Sequence, residues 1–293
     1  AELAKHYADQ HGVNNFSFAE IIKDTGIEGV VLAVPAPLHA SLAIEAMNAG
    51  KHVYVEKPLA MNQIEARQMI DTSKGQGVQL MVGHLLQYHP VFIAVRGLVA
   101  SGELGRLSYI YSNRLSFGKV RSEEDVIWSF APHDISMILS LTGQEPESVR
   151  TESASILQSN IADTATVHMA FTSGLKAHIF VSWLHPYKEQ KLVVIGESAM
   201  AVFDDTQPWE QKLALYRHNI DLTGEVPNLG KSDVQYIDVA QSEPLKNECQ
   251  HFIDVVNGRL MPLTDGDEGL RVLNVLSAAT LSQNENNAVR IEN

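Results

Sequence analysis

Cysteine, basic side chains and long apolar runs are all scarce in this sequence of 293 residues. Cys249 is the only cysteine, which excludes an internal disulfide and a zinc site built from cysteines and agrees with a reducing cytoplasm. Lysine and arginine number 22 against 35 aspartates and glutamates, and the net charge of -13 argues against a nucleic-acid or anionic-membrane surface. No apolar run reaches the roughly 20 residues of a membrane-spanning helix. We therefore expect a cytoplasmic protein with small-molecule partners.

The first third of the sequence alternates strand and helix patterns. Residues 29–35 form a short valine-rich run that ends in proline, which is typical of a strand buried on both faces. Residues 39–56 continue with a helix pattern and a second strand, and residues 61–83 repeat the order of helix and strand. Two such units in succession predict a parallel, doubly wound α/β domain of the Rossmann type, which we place at residues 1–105.

From about residue 106 the pattern changes. Four stretches alternate apolar and polar positions, namely 148–157, 164–172, 175–184 and 191–204. Alternation of this kind predicts strands of an antiparallel sheet, and helix patterns follow at 244–257 and 267–283. We predict a second, α+β domain over 106–293, with a large and mainly antiparallel sheet, for substrate binding and oligomerisation. Asp265 and Glu268 have the spacing of a capping box, so we expect both carboxylates to be structural.

Three short motifs carry a resemblance to a known family: Val34-Pro35 with His39, then Ala49-Gly50-Lys51-His52-Val53, then Glu56-Lys57-Pro58. In this combination the sequence resembles the Gfo/Idh/MocA oxidoreductases along its whole length. The resemblance implies that Lys57 lies beside the nicotinamide ring of NAD or NADP, with NAD favoured. Without the resemblance, Lys57 would be a surface lysine at a strand end. The cofactor-binding residues that it implies are Val34, Pro35, His39, Glu56, Lys57 and Pro58.

The GxGxxG turn that opens most dinucleotide-binding domains is missing from this sequence. By resemblance the chain starts inside a later helix of the family, so we expect the sequence to be part of a longer natural chain. On that expectation the parallel sheet is incomplete, and the strand at 29–35 has an unpaired edge. The residue that distinguishes NAD from NADP would lie in the missing part.

A second cluster of chemical groups lies at residues 128–135, at the start of a predicted helix. His133 falls where the resemblance places a histidine that faces the nicotinamide, whereas Ser129 replaces the aspartate that the family has four positions earlier. Histidine can act as an acid or a base near neutral pH, so Lys57 and His133 are the predicted catalytic pair. Asp134 either stabilises the amino end of the helix or orients the imidazole, and we favour the first role.

The surroundings of this helix resemble a branch of the family tied to nucleotide sugars, the UDP-N-acetylglucosamine 3-dehydrogenases and their uronic-acid relatives. A diphosphate calls for arginine or lysine, and Arg114, Lys119 and Arg121 precede the helix, although a solvated loop explains them equally well. The predicted substrate-binding residues are Tyr88, Arg114, Lys119, Arg121, Trp128, Ser129 and His133. No metal site is predicted, and the role of His89 stays open.

The expected reaction is hydride transfer between the nicotinamide and C3 of a UDP-N-acetylhexosamine or its uronic acid. His133 is the expected principal base, while Lys57 polarises the hydroxyl or stabilises its developing alkoxide. One alternative is a dehydrogenase of a free polyol or sugar such as inositol or glucose. Another is a non-catalytic cofactor-binding regulator, which Ser129 makes plausible. The resemblance also implies a homo-oligomer.

Overall fold

The computed structural model of the chain describes residues 2–118, 120–221, 223–224 and 226–291. Its amino-terminal part is built on a three-stranded sheet in the order β1-β2-β3, and both strand pairs are parallel. The elements are α1 (Glu2–His11), α2 (Phe18–Lys23), β1 (Gly29–Leu32), α3 (His39–Asn48), β2 (His52–Glu56), α4 (Gln63–Gln76), β3 (Leu80–Gly83) and α5 (Pro90–Ala100). The predicted parallel α/β architecture is confirmed. Among the described strands, β1 pairs with β2 alone, so its other edge is open.

The apolar pattern explains how this sheet packs. Val53 and Val55 are fully buried and belong to the same core as Ala43, Ala46 and Met47 of α3. Two alanines on the buried side of α3 leave room for a close approach to the sheet. Strand side chains alternate between the two faces, so Tyr54 and Glu56 lie on the opposite face from this core.

The carboxyl-terminal part is built on a ten-stranded sheet. The strands follow the order β11-β10-β9-β8-β4-β7-β6-β5-β13, and β12 pairs with β10. Their bounds are β4 (Leu107–Phe117), β5 (Ser148–Ala154), β6 (Thr164–Ala170), β7 (Lys176–Ser182), β8 (Leu184–Gly196), β9 (Ala199–Asp204), β10 (Leu213–Asp221), β11 (Asn228–Lys231), β12 (Gln235–Tyr236) and β13 (Val289–Arg290). The pair of β4 and β7 is parallel and the other described pairs are antiparallel, as predicted for a mainly antiparallel sheet.

The prediction of one strand over 191–204 was wrong. The segment is divided between β8 and β9, which form a hairpin that pairs Ile195 with Met200. A two-residue connection leaves the alternation of side chains nearly unbroken, so the apolar pattern did not reveal the turn.

Three further helices, α6 (Val126–Thr142), α7 (Pro244–Val256) and α8 (Gly266–Glu285), complete the fold. Leu273 of α8 packs in the core of the parallel sheet, whereas Val272 and Leu276 pack in the core of the large sheet. Phe252 of α7 lies edge-to-face on Tyr54, with 5.8 Å between ring centroids. The division of the chain at residue 105 stays a prediction. None of the described helices is both long and apolar enough to cross a membrane.

Candidate active site

Lys57 follows β2 directly, at the carboxyl edge of the parallel sheet where ligands of such folds bind. The peptide bond to Pro58 is cis. The Lys57 Nζ donates a hydrogen bond of 3.0 Å to the carbonyl oxygen of Ser129, on α6. Burial lowers the pKa of Lys57; Glu124 and Glu56 oppose this shift, while Arg121 and Arg114 add to it. The amine therefore gives up its proton more readily than an exposed lysine does.

His39 joins the ends of the first two strands of the parallel sheet. Its Nδ1 lies 2.8 Å from the carbonyl oxygen of Pro58, and its Nε2 lies 2.9 Å from that of Val34. The side chain is almost completely buried. Because a neutral imidazole has a single N–H, a neutral ring donates to one of the two carbonyls at a time. His39 thus fixes the backbone on both sides of the predicted cofactor site.

His133 lies on α6 one turn after Ser129, in the helix that faces Lys57. Its Nδ1 is buried and has no hydrogen-bond partner among the described residues. Burial lowers the pKa of His133 well below its ordinary value, and the charges of Arg114, Lys57 and His84 lower it further. The imidazole is therefore neutral and has a lone pair to accept a proton.

Arg114 on β4 is the most strongly bound of the predicted substrate residues. Its Nε donates to Oδ2 of Asp134 at 2.6 Å and its Nη2 to Oδ1 at 3.1 Å, a bidentate pair. Ser112 Oγ also donates to Asp134, at 2.5 Å. The preferred role for Asp134, stabilising the amino end of the helix, was wrong, because Asp125 caps that end through the backbone N–H groups of Ile127 and Trp128. Asp134 instead holds Arg114 and balances its charge.

The other predicted substrate residues lie in different surroundings. Trp128 donates its indole N–H to Thr280 on α8 at 2.9 Å, and its ring contacts both cores. Tyr88 is buried with Tyr54 and Phe252 on the α7 face of the parallel sheet. Ser129 is buried and contributes its carbonyl to Lys57. The structure thus brings Lys57, Ser129 and His133 together.

The loop before α6 provides one described cation. Arg121 is half-exposed and lies 3.3 Å from Glu124, and its charge reaches Lys57. Lys119 lies outside the described residues. His89, whose role was open, caps α5 by accepting the N–H of Val91 through its Nδ1.

The expectation that Glu268 is only a capping residue was incomplete. Asp265 does cap α8 by accepting the N–H of Glu268. The carboxylate of Glu268, however, lies 2.5 Å from Nδ1 of His84 and accepts a bond of 2.7 Å from Ser136 Oγ. Burial raises the pKa of Glu268, but His84 and Ser136 more than offset this and hold it below its ordinary value. His84 directly follows β3, and that position at the carboxyl edge of the sheet was the one signal for it in the sequence.

The site fits the nicotinamide end of a dinucleotide. Val34, Glu56 and His84 mark the carboxyl ends of three parallel strands, the edge at which such cofactors bind. The lowered pKa of Lys57 keeps its amine compatible with a cationic ring. Within the described residues, no group of three or more histidine, cysteine, aspartate or glutamate side chains could hold a metal ion.

Comparison with sequence families gives two matches. Residues 1–84 match the family described as "Oxidoreductase family, NAD-binding Rossmann fold", and residues 92–202 match the "GFO/IDH/MocA C-terminal domain". A UDP-N-acetylglucosamine 3-dehydrogenase of Acidithiobacillus ferrooxidans is 28% identical over 248 residues, which are 84% of this chain and 76% of that protein. A myo-inositol 2-dehydrogenase of Thermotoga maritima is 24% identical in an alignment that covers 99% of this chain and 85% of that protein.

Solved structures give the same picture. The structure of the UDP-N-acetylglucosamine 3-dehydrogenase from Acidithiobacillus ferrooxidans aligns with a TM-score of 0.84 at 25% identity, over 97% of this chain and 88% of that chain. A putative myo-inositol dehydrogenase from Sinorhizobium meliloti aligns with a TM-score of 0.82 at 22% identity, over 99% and 88% of the two chains. At that identity the second likeness supports the fold alone.

Proposed function

The chain belongs to the GFO/IDH/MocA oxidoreductases and is a nicotinamide-dependent dehydrogenase of CH–OH groups, and we propose that its substrate is a nucleotide sugar oxidised at C3 of the sugar ring. The preferred substrate is a UDP-N-acetylhexosamine or its uronic acid. The observation that supports the proposal is the contact between the Lys57 amine, whose pKa is lowered, and the carbonyl of Ser129, which lies one helical turn before the neutral imidazole of His133.

The proposed roles follow from these two groups. A bound nicotinamide would supply the acceptor for the hydride of the sugar carbon. His133 is the principal acceptor of the hydroxyl proton, because its imidazole is neutral with a free lone pair, although burial and the nearby positive charges make it a weaker base than an exposed histidine. Lys57 donates a hydrogen bond to the same hydroxyl oxygen and stabilises the charge that develops there. Arg114 does not need a substrate anion for charge balance, since Asp134 is bound to it on two nitrogens.

The proposal also specifies that the substrate carries a diphosphate. Support comes from Arg121, which is half-exposed at the entrance to α6, close enough for its charge to lower the pKa of Lys57. The ion pair between Arg121 and Glu124 is partly exposed and therefore weak. A phosphate of the substrate can replace Glu124 as the partner of Arg121. The name of the Acidithiobacillus relative points to the same substrate class.

A free polyol is the second candidate substrate. The relatives named inositol 2-dehydrogenase include one that aligns over 99% of this chain. The bidentate pair of Arg114 with Asp134 also favours this candidate, because it removes one of the predicted phosphate ligands.

A substrate comparison distinguishes the two candidates. The enzyme is assayed for reduction of NAD by absorbance with UDP-N-acetylglucosamine, its uronic acid, free N-acetylglucosamine and myo-inositol. We expect turnover with the UDP sugars and weak competitive inhibition by UDP. Equal activity toward free and UDP-linked sugar would exclude the diphosphate, and inactivity toward all four would favour a regulator. Charge reversal at Arg121 should raise KM for the UDP sugar with kcat nearly unchanged, as for uniform binding.

We also propose NAD as the preferred cofactor, a cytoplasmic location and a homo-oligomeric state. The single cysteine supports the location. The wide sheet supports the assembly, since side chains of β6 and β7 alternate between buried and solvent-accessible positions and so leave one face of these strands accessible. Titration with NAD and NADP and the mass in sedimentation are the direct measurements.

A further inference from the structure

A second carboxyl group lies buried next to the catalytic segment, and the roles proposed above do not use it. Glu248 of α7 is fully buried, and neither of its carboxyl oxygens has a described partner at full hydrogen-bond geometry; the Tyr54 hydroxyl approaches it only as a weak donor. A buried, unpaired carboxylate costs several kcal/mol relative to water. A protein tolerates this arrangement more easily when the group holds a proton.

The neighbours of Glu248 lead to Lys57. Phe252, one turn later on α7, packs on Tyr54 of β2, which sets the helix against the face that carries Tyr54 and Glu56. Both of these side chains lie over Gly83 of β3: a Cβ added there would be 2.7 Å from the Tyr54 hydroxyl and 3.2 Å from Glu56 Oε2. The absence of a side chain at Gly83 therefore makes the space in which these polar groups meet.

Glu56 connects this cluster to the reacting group. Its Oε2 accepts the backbone N–H of Lys57 at 3.3 Å, and Lys57 in turn reaches Ser129 through its amine. A displacement of the Glu56 carboxylate would therefore move the backbone from which the Lys57 side chain starts.

The charges around Glu248 all oppose its ionisation. Burial raises the pKa of Glu248 to about 8; the Tyr54 hydroxyl opposes the rise and the charge of Glu56 adds to it. The titratable groups that face it are Tyr54 and Glu56 on β2, Tyr88 in the turn after β3, and Cys249 on α7 itself. None of these four groups is a cation, so among the described residues that act on it an ionised Glu248 finds no counter-charge and repels Glu56.

We propose that Glu248 is a positioning residue that acts on Lys57 through Glu56, and that it does so only while its carboxyl group holds a proton. Loss of the proton sets the negative charge of Glu248 against that of the partly buried Glu56, and Glu56 moves away from the Lys57 backbone. The consequence is a dehydrogenase that loses activity as Glu248 ionises on the alkaline side of neutrality. The role of Lys57 in this proposal rests on the proposed function.

The reactivity of the Cys249 thiol reports whether Glu248 is protonated, and it can be measured without an assay of enzyme activity. Cys249 is exposed, and burial followed by the charges of Glu248, Glu56 and Glu243 raises the pKa of its thiol. Its rate of alkylation by iodoacetamide is measured from pH 6 to 10 in the unsubstituted protein, in Glu248→Gln and in the control Glu243→Gln. Glutamine has the shape of the protonated acid and cannot ionise, so it should fold as the parent does.

We expect the thiol of Glu248→Gln to react about threefold faster or more at alkaline pH than that of the parent, because one nearby negative charge no longer forms. Glu243→Gln should give a smaller change with the same pH dependence as the parent. Identical profiles for the parent and Glu248→Gln would mean that Glu248 does not ionise in this range and would overturn the proposal.

The pH dependence of kcat tests the second part of the proposal, that Glu248 positions Lys57. In the full-length enzyme kcat should fall about tenfold one pH unit above the midpoint, and Glu248→Gln should remove this fall while Glu243→Gln keeps it. If the alkylation result holds but the kcat profile of Glu248→Gln matches the parent, Glu248 does not position Lys57 and the proposal is overturned. Lys57→Ala distinguishes this failure from failure of the proposed function, because it removes turnover at every pH if Lys57 is catalytic.

Discussion

At the scale of single residues, the proposed chemistry depends on how readily the Lys57 amine and the His133 imidazole gain or lose a proton. The amine of Lys57 is buried between the parallel sheet and α6, and this lowers its pKa. General acid–base and polarising groups contribute about 10²- to 10⁴-fold to rates. Lys57→Ala should therefore reduce kcat of the full-length enzyme by that order, with little change in the Kd of the cofactor measured by fluorescence titration. Lys57→Arg is the matched control: its guanidinium keeps the positive charge and the N–H donors that the proposed role of Lys57 needs, so it should lose less activity than Lys57→Ala. A loss of under about threefold in the alanine variant would refute the assignment.

His133 and Lys57 act on the same proton, and this has a measurable consequence. His133→Ala should also lower kcat by about 10²- to 10⁴-fold. Because both groups serve one proton transfer, the double variant should lose much less than the product of the two single losses. The four kcat values form a double-mutant cycle under a single set of conditions. Fully multiplicative losses would show that the two side chains act in separate steps.

Prediction from sequence reaches residues that short motifs mark and misses those whose partners are distant in sequence. Short motifs surround Lys57 and His133, whose catalytic roles stay predictions. Asp134 was misjudged because its partner Arg114 lies on a strand 20 residues away in sequence. The importance of Glu268 was missed because its partner His84 is 184 residues away. A buried carboxyl such as Glu248 has no signature in the sequence, since its burial exists only after α7 has packed on the sheet.

At the scale of elements, α8 determines how the two cores fit together. Its residue Gly269 lies against Val82 and Leu59, both fully buried. A Cβ at Gly269 would come within 2.8 Å of Val82 Cγ2 and 3.0 Å of Leu59 Cδ2, which is closer than non-bonded carbon atoms normally lie. Gly269→Ala should therefore lower the free energy of unfolding by about 1 to 3 kcal/mol through overpacking.

The control for that substitution lies in a helix of the same molecule. Gly97 of α5 has nothing within 4 Å of its added Cβ, so Gly97→Ala should raise stability by about 0.4 to 1 kcal/mol. Chemical denaturation of both variants shows whether each substitution raises or lowers the free energy of unfolding. Stabilisation by Gly269→Ala would mean that α8 moves freely relative to β3.

Element types and order were largely predictable from the sequence, because the periodicity of strands and helices is local. The hairpin between β8 and β9 was not predictable, since its two-residue turn preserves the alternation of apolar and polar side chains.

At the scale of the whole molecule, the open edge of β1 is the feature with the largest consequence. Val31 in the middle of this strand is 58% exposed, and Tyr7, Val13 and Phe16 are exposed around it. An unpaired edge beside apolar side chains is a template for pairing with another chain, and a lysine on the edge is the common defence against this. Residues 1–293 should therefore associate at high concentration, and Val31→Lys should reduce that association.

Sedimentation velocity over a range of concentrations measures this effect, with thermal unfolding to confirm that the fold is unchanged. Ile64→Lys is the matched control, because Ile64 is 72% exposed but lies on α4, away from any strand edge. Both substitutions are at the surface and should change stability by no more than about 0.5 kcal/mol. If the edge drives association, only Val31→Lys shifts the distribution toward the monomer. An equal shift from Ile64→Lys would attribute association to apolar surface in general, since that side chain cannot reach the hydrogen-bonding groups of β1.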